Sequence, residues 1–474
     1  MRSRPIVLIS AAKGGTRSGS ETTSLLHPLL GKSLLQRCVE TARGLAPKRI
    51  IVAGGPDKGA AEASAGSVFS GVEFLAPAGP RKSPSIPAAL RAALSVEKDG
   101  DLLVLPADRP LLRPDALREL LTYHRRRRSD LTVMSAAAAD PRGNGRIVRG
   151  PDGSVRVVAD ADAGPADLTI PEIDASVYVL RVGGPAPAVL MAPGNRAAAG
   201  RLGIAAAFGP VFRAGGRVEA FMTPAPEDIL RVETRVDRAR AGARLRDRIN
   251  AALMQAGATL VDPATAWIDE QVRIDLDAVV APFVVIEGAT TIGRRTRIGP
   301  GCHIIRCILG EDVVVAAHTV MEDAAVESRV TVGPFARLRA RTVLRSGAHV
   351  GNFVEMKATD FGPGAKAGHL SYLGDSEVGG EVNIGAGTIT CNFDGVRKNR
   401  TIIGTGAFIG SGSELVAPVS VGRGAYVAAG SVITKDVSPD ALAVARGRQY
   451  EKPDWAKARR EKIEREKKSG LDKF

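Results

Sequence analysis

The chain has 474 residues, enough for two or three domains each with its own core. Apolar residues make up 44%, which excludes a disordered chain, while 4% aromatics beside 53 glycines argue for tightly turned, small-residue architecture over a conventional sandwich. A net charge of +14, from 65 basic and 51 acidic residues, admits small polyanions such as nucleotides and coenzyme A as partners. No aromatic-basic face points to nucleic acid, and the runs at Arg125–Arg128 and in the tail read as solvated surface.

The first half alternates strand-like and helix-like segments. "PIVLISA" reads as a strand, "LLGKSLLQRCVETARGL" as a helix, "RIIVAGG" as a strand and "IPAALRAALSV" as a helix. "DLLVLPADRPLL" follows as a strand with its loop, then "PDALRELLTYHRRRR" as a helix. This spacing predicts βαβ units and a mostly parallel sheet over residues 1–230, a Rossmann-like α/β domain. Ligands of such sheets bind at the carboxyl ends of the strands, where the "AAKGGTR" loop and Asp108 fall.

Residues 231–256 turn helical, with Val236, Leu245, Ile249 and Leu253 on one side. They form either a connecting helix or the last helix of the first domain. Beyond them an aliphatic residue recurs every six positions: Ile286, Ile292, Ile298 and Ile304, then Val332, Leu338, Leu344, Val350 and Met356. The step returns at Val378, Ile384 and Thr390, and from Ile403 through Ile409, Leu415, Val421 and Val427 to Ile433. Such a repeat predicts a parallel β-helix over 257–450, each hexad laying one short strand on a triangular coil with small residues at the corners. Residues 451–474 lose the step and form a mildly basic tail that starts as a short helix.

The cysteines Cys38, Cys302, Cys307 and Cys391 form no CxxC pair and are expected to be reduced and mostly buried. "MRSRPIVLIS" is too short an apolar run for a signal peptide, and no run of about 18 apolar residues occurs. A cytoplasmic protein without membrane insertion is expected.

The stretch "GPFARLRARTVLRSGAHVGNFVEMKATDFGPGAKAGHLSYLGDSEVGGEVNIGAGTITCNFDGVRKNRTIIG" closely resembles the acetyltransferase domain of the bacterial bifunctional N-acetylglucosamine-1-phosphate uridyltransferase and glucosamine-1-phosphate N-acetyltransferase family. The resemblance covers about residues 257–450 and, more weakly, the first half. It implies a left-handed β-helix, a side-by-side homotrimer with acetyl-transfer sites at subunit interfaces, and acetyl-CoA as co-substrate. Amide formation from a thioester needs a proton acceptor of near-neutral pKa, and His369 in "KAGHLSYLGD" matches the family's catalytic histidine. Arg339, Lys357 and Lys398 match its phosphate-binding cations, and Tyr372 and Asn383 the positions that orient the sugar and its amine. For acetyl-CoA the resemblance implies Ala386, Asn392, Phe393 (frequently a tyrosine in the family), Ser411, Ala429 and Arg446.

The nucleotidyltransferase half departs from the family pattern. Its signature, roughly L-A-A-G-x-G-T-R-M followed by P-K, stands here as Ser10, Ala11, Ala12, Lys13, Gly14, Gly15, Thr16, Arg17 and Ser18, with Ser24 in place of the lysine. Ala11, Ala12, Arg17 and Gly145 remain. The Gln and Gly-Thr-Gly-His-Ala segments that read uracil have no equivalent in "FLAPAGPRKSPSIPAALRAAL", and Ala159 and Asp174 replace a Glu and an Asn. Asp108 keeps one Mg²⁺-binding carboxylate, and Glu233 replaces the second site's Asn. Phosphoryl-type transfer depends on positioning and charge neutralisation, so these losses together predict weak or absent uridylyl transfer, with Mg²⁺ and UTP relevant only if that site is active. A fully bifunctional enzyme, with Lys13 or Lys82 supplying the lost cation, is the alternative; a non-enzymatic sugar-nucleotide sensor or scaffold is the third.

Overall fold

The structure, a computed structural model, describes residues 4–11, 24–54, 58–75, 86–94, 97–192 and 203–468. The chain folds into two compact units, Met1–Ala252 with Trp267–Gln271, and Leu253–Ala266 with Val272–Phe474.

The first unit is built on a sheet whose strands are apolar on both faces. Ile6–Ser10 pairs parallel with both Arg49–Ala53 and Asp101–Pro106. Across the sheet the order is Val218–Met222, Leu131–Ala137, Glu172–Arg181, Asp101–Pro106, Ile6–Ser10, Arg49–Ala53 and Glu73–Leu75. Alternation sends Val7 and Ile9 into one apolar layer with Leu34, Leu35 and Leu117, and Ile6 and Leu8 into the other with Leu90, Leu190 and Phe208.

Glu172–Arg181 runs antiparallel to both neighbours. After Leu131–Ala137 the connection is the hairpin of Arg146–Arg149 and Val155–Val158 and the one-turn helix Pro165–Leu168 rather than a long crossover helix, and the chain returns in the opposite direction. The arginine run closing helix Pro114–Arg127 is partly structural, since Arg125 pairs with Asp101 at 2.5 Å and Arg127 with Glu219 at 3.1 Å. Helix Arg235–Gln255 lies within the segment 231–256, and most of it belongs to the first unit. Its buried side is Ala241, Gly242 and Leu245, with Ile249 packed behind them, whereas Val236 is exposed.

The second unit is a left-handed parallel β-helix of hexapeptide repeats. Its strands of two to four residues stack into three parallel ladders. Val280, Ile298, Val315, Val332 and Val350 point inward on one ladder. Ile286, Ile304, Met321, Leu338, Met356 and Leu373 do so on the second, and Ile292, Leu309, Val326, Leu344 and Phe361 on the third. Every hexad residue named from the sequence is buried.

The hexad phase breaks after Ile304 and after Met356 because the corner into the third ladder is one residue shorter at Ile304–Leu309, Met321–Val326, Met356–Phe361 and Leu373–Val378. Corners also hold larger residues than expected: Phe283, His318, Phe335, Phe353 and Leu370 adopt left-handed backbone, with φ between 52° and 61°. Glycine is needed where coils touch. A Cβ on Gly351 would lie 1.7 Å from the carbonyl oxygen of Gly368. The second and third ladders are also separated once by an excursion, residues 392–400, closed by a bridge between Phe393 and Lys398. Helix Trp455–Lys468 in the tail is exposed throughout, and no described helix is long and apolar enough to cross a membrane.

Candidate functional site

On the second ladder of the β-helix, register stacks Glu355 on Tyr372 and Lys357 on Gly374 in the next coil. Arg339, one coil earlier, donates to Glu355 at 2.9 Å. Lys357 Nζ reaches both carboxylate oxygens of Asp375, at 3.2 and 3.1 Å, and Asn392 Nδ2 donates to Asp375 Oδ2 at 2.5 Å. Gly374 keeps the floor of this cluster open. A Cβ there would come 2.5 Å from the Tyr372 hydroxyl and 2.6 Å from the Asn392 amide, so these two groups converge above it. Arg339, Lys357, Tyr372 and Asn392 therefore share one face. Glu355 and Asp375, the acids that hold the two cations, were missed in the sequence. The signal was their spacing, since a residue about one coil further on stands beside its predecessor.

A corner next to that face gathers a second set. His369, Ala386, Ser411 and Ala429 each immediately precede a left-handed corner residue, namely Leu370, Gly387, Gly412 and Gly430. They form one column up the coil, in which Gly412 N donates to Ala386 O at 2.7 Å and Gly430 N to Ser411 O at 2.8 Å. Arg446 closes it by donating to Ala429 O at 2.9 Å. His369 is exposed at the head of the column, and among the described residues its ring has no hydrogen-bond partner. An exposed, unpaired imidazole can accept a proton from a ligand.

Three predicted residues stand apart from these sets. Asn383 lies on the first ladder, stacked between Lys366 and Phe408. Lys398 and Phe393 lie on the excursion, the Lys398 ammonium 4.2 Å from the centroid of the exposed Phe393 ring.

In the first unit, Asp108 and Glu233 follow the carboxyl ends of Asp101–Pro106 and Val218–Met222. A single guanidinium holds both. Arg231 Nε donates to Asp108 Oδ2 at 2.8 Å, and Arg231 Nη2 sits 2.7 Å from Glu233 Oε1. Burial opposes the Arg231 charge, but Asp108 and Glu233 outweigh it and raise its pKa. The other Asp108 oxygen is sealed from solvent and has no hydrogen-bond partner among the described residues. Mg²⁺ demands oxygen ligands at about 2.0–2.1 Å in near-octahedral array. Here Asp108 Oδ2 and Glu233 Oε1 are already engaged by the Arg231 guanidinium, which a metal held by these two carboxylates and substrate phosphates would have to displace. This donor set does not fit the ion. Arg231 carried no signal in the sequence.

Gly145 lies against the hairpin, its carbonyl accepting from Asp174 N at 2.9 Å, and a Cβ would meet Val157 at 2.9 Å. Asp174 is buried, which pushes its carboxyl pKa up, and it accepts from the Tyr178 hydroxyl at 2.5 Å and Ser176 N at 2.6 Å. Its polar atoms are thus committed inside the fold. Ala11 is buried and continues the ladder of its strand through a 2.9 Å bond to Ala53 O. Ala12, Lys13, Arg17 and Lys82 lie outside the described residues. All four cysteines are free thiols, and burial first, then Asp108, push Cys38 up to about 12.

Comparison with known proteins places both units. The MobA-like NTP transferase domain family matches residues 7–171, the GMPPB C-terminal domain 268–363, and the hexapeptide repeat of succinyl-transferase 400–435. Over 96% of its length the chain is similar to proteins called bifunctional protein GlmU. It is 37% identical to that of Geotalea uraniireducens, covering 99% of it, and 41% identical to that of Azorhizobium caulinodans, covering 97%. Identity to the Solibacter usitatus protein is 42%, with 98% of it covered.

Proposed function

The chain belongs to the bifunctional GlmU family, and from that premise we propose that its β-helix unit is a glucosamine-1-phosphate N-acetyltransferase. Acetyl passes from acetyl-CoA to the amine of glucosamine 1-phosphate, giving N-acetylglucosamine 1-phosphate for UDP-N-acetylglucosamine synthesis. In the first unit, uridylyl transfer is weak or lost. The amine nitrogen attacks the thioester carbonyl, the C–N bond forms, and the C–S bond breaks with loss of coenzyme A thiolate. His369 takes the amine proton and returns one to the thiolate. Arg339, Lys357 and Lys398 neutralise the sugar phosphate, and Tyr372 and Asn383 orient the sugar. Acetyl-CoA runs along Ala386, Ser411, Ala429 and Arg446, flanked by Asn392 and Phe393.

The observation that carries this reading is the placement of His369, at the head of the Ala386–Ser411–Ala429 column, on the corner that leads into the face of Arg339, Lys357 and Tyr372. The reading includes a cytoplasmic homotrimer with sites between subunits. The separation of Asn383 from Tyr372 by a ladder is consistent with a site completed by a second copy. Weak uridylyl transfer is supported by the engagement of Asp108 and Glu233 by Arg231.

A second reading, a fully bifunctional enzyme, is favoured by the identity that runs through both units. One incubation with glucosamine 1-phosphate, acetyl-CoA, UTP and Mg²⁺, analysed by mass, separates the two. Accumulation of N-acetylglucosamine 1-phosphate alone is expected. UDP-N-acetylglucosamine with pyrophosphate release would establish the second reading, and no product at all would leave the sensor or scaffold.

A further inference from the structure

The first unit carries an open cleft of ≈ 650 Å³ whose wall includes Arg231 and Glu233. Arg231 is held there by more than its side chain. The next residue, Val232, donates its backbone N–H to Asp108 O at 2.8 Å, so the guanidinium starts from a segment stapled to the Asp108 loop. From that anchor its Nε and Nη2 span Asp108 and Glu233 at 2.8 and 2.7 Å, lengths typical of charge-assisted hydrogen bonds. Two carboxylates brought together would repel, and a cation between them relieves that repulsion. A divalent ion is one solution, and the chain carries another.

We infer that Arg231 is the resident cation of this site: its guanidinium takes the place between Asp108 and Glu233 that a divalent ion would occupy, and the first unit binds no divalent metal there. A metal drawn to these oxygens would face a fixed like charge about 3 Å behind them, and the remaining Asp108 oxygen is closed to solvent. Removing the guanidinium charge, by contrast, should turn the pair into a metal site. The inference rests on the reading of the first unit given above, and it is tested by binding without reference to turnover.

Mn²⁺ is the probe, added to the full-length protein and followed by electron paramagnetic resonance of the free ion. Wild-type protein should show no stoichiometric site. Arg231→Gln should gain one Mn²⁺ per chain, with affinity raised at least about 10-fold, and Asp108→Asn added to it should remove that site. Mg²⁺ should raise the melting temperature of R231Q but not of the wild type, provided that R231Q still melts cooperatively. A wild-type chain that binds one Mn²⁺, lost on Asp108→Asn, would overturn the inference. So would a folded R231Q with no gain in Mn²⁺ binding. The two readings fail separately: UDP-N-acetylglucosamine made by a wild-type chain that binds no Mn²⁺ would end lost uridylyl transfer and leave Arg231 as the resident cation. Mn²⁺ binding by a wild-type chain that makes none would do the reverse.

Discussion

The two units assemble their candidate sites by opposite rules. In the β-helix each residue's neighbours are set by the coil, so Lys357 meets Asp375 and Arg339 meets Glu355 because each partner lies about one coil further along. In the α/β unit, Arg231 meets Asp108 across 123 residues of chain, through loops at the ends of separate strands. A repeated local geometry keeps a site intact as long as the period is kept. A site built from separate loops can change its chemistry by one substitution at one loop.

The largest effect that would break this contrast is catalytic. His369→Ala should lower acetyl transfer roughly 100- to 10,000-fold while leaving thermal unfolding unchanged, because the side chain is exposed and without a partner among the described residues. Near-full turnover by that variant would remove His369 as the base.

Next comes the cost of disturbing coil stacking. Gly351→Ala, forced against the Gly368 carbonyl, should destabilise the β-helix by about 3 kcal/mol. Gly143→Ala in the first unit has left-handed backbone, φ 77°, but beyond its chain neighbours no atom of the described residues lies within 4 Å of its new methyl, and it should cost only about 1 kcal/mol. Denaturant titration of both variants ranks the two; equal costs would mean that coil contact is not what requires glycine.

Acid should separate the units. His124 is buried, hydrogen-bonded through Nδ1 to the Thr132 hydroxyl at 2.7 Å, and burial lowers its pKa to about 4. The unfolded chain therefore takes up a proton that the folded unit refuses. Stability is full above about pH 6.5 and falls as pH drops towards 4, by up to ~1.4 kcal/mol per pH unit. In the β-helix, hydrogen bonds from Arg295 and Arg306 lower the pKa values of Asp312 and Asp323. That contribution is present above the ordinary carboxylate range and is lost only below about pH 4. Calorimetry from pH 7 to 5 should show the transition of the first unit falling while that of the second holds, and His124→Gln should flatten the fall.

The smallest effect belongs to the excursion. Phe393→Leu removes the ring beneath Lys398, a contact of about 0.5–1 kcal/mol at an exposed site. It should raise the KM for glucosamine 1-phosphate a few-fold and leave kcat unchanged. A loss in kcat instead would place Phe393 closer to the reacting atoms.

Much of this was legible in the sequence, for reasons that differ along the chain. Hexad residues such as Ile286 and Leu415 declared the β-helix because one inward side chain per short strand is a local requirement, repeated until chance is excluded. The sheet of the first unit was legible from its apolar strands, but the reversal of Glu172–Arg181 was not, since direction depends on which connection intervenes. Val236 matched a helical stripe yet faces solvent, because periodicity gives a face and not what covers it.

By itself the sequence determined the two periods and the inward residues of the coil, and its motifs named candidates of which the fold sets His369, Ala386, Ser411 and Ala429 in one column and Arg339, Lys357 and Tyr372 on one face. Only the tertiary structure decided their partners. Asp375 beside Lys357 required the coil length at that corner, which varies by one residue. Arg231 between Asp108 and Glu233 required three side chains from two loops to converge, and electrostatic pairing over that separation depends on distances in space that no local pattern of residues records.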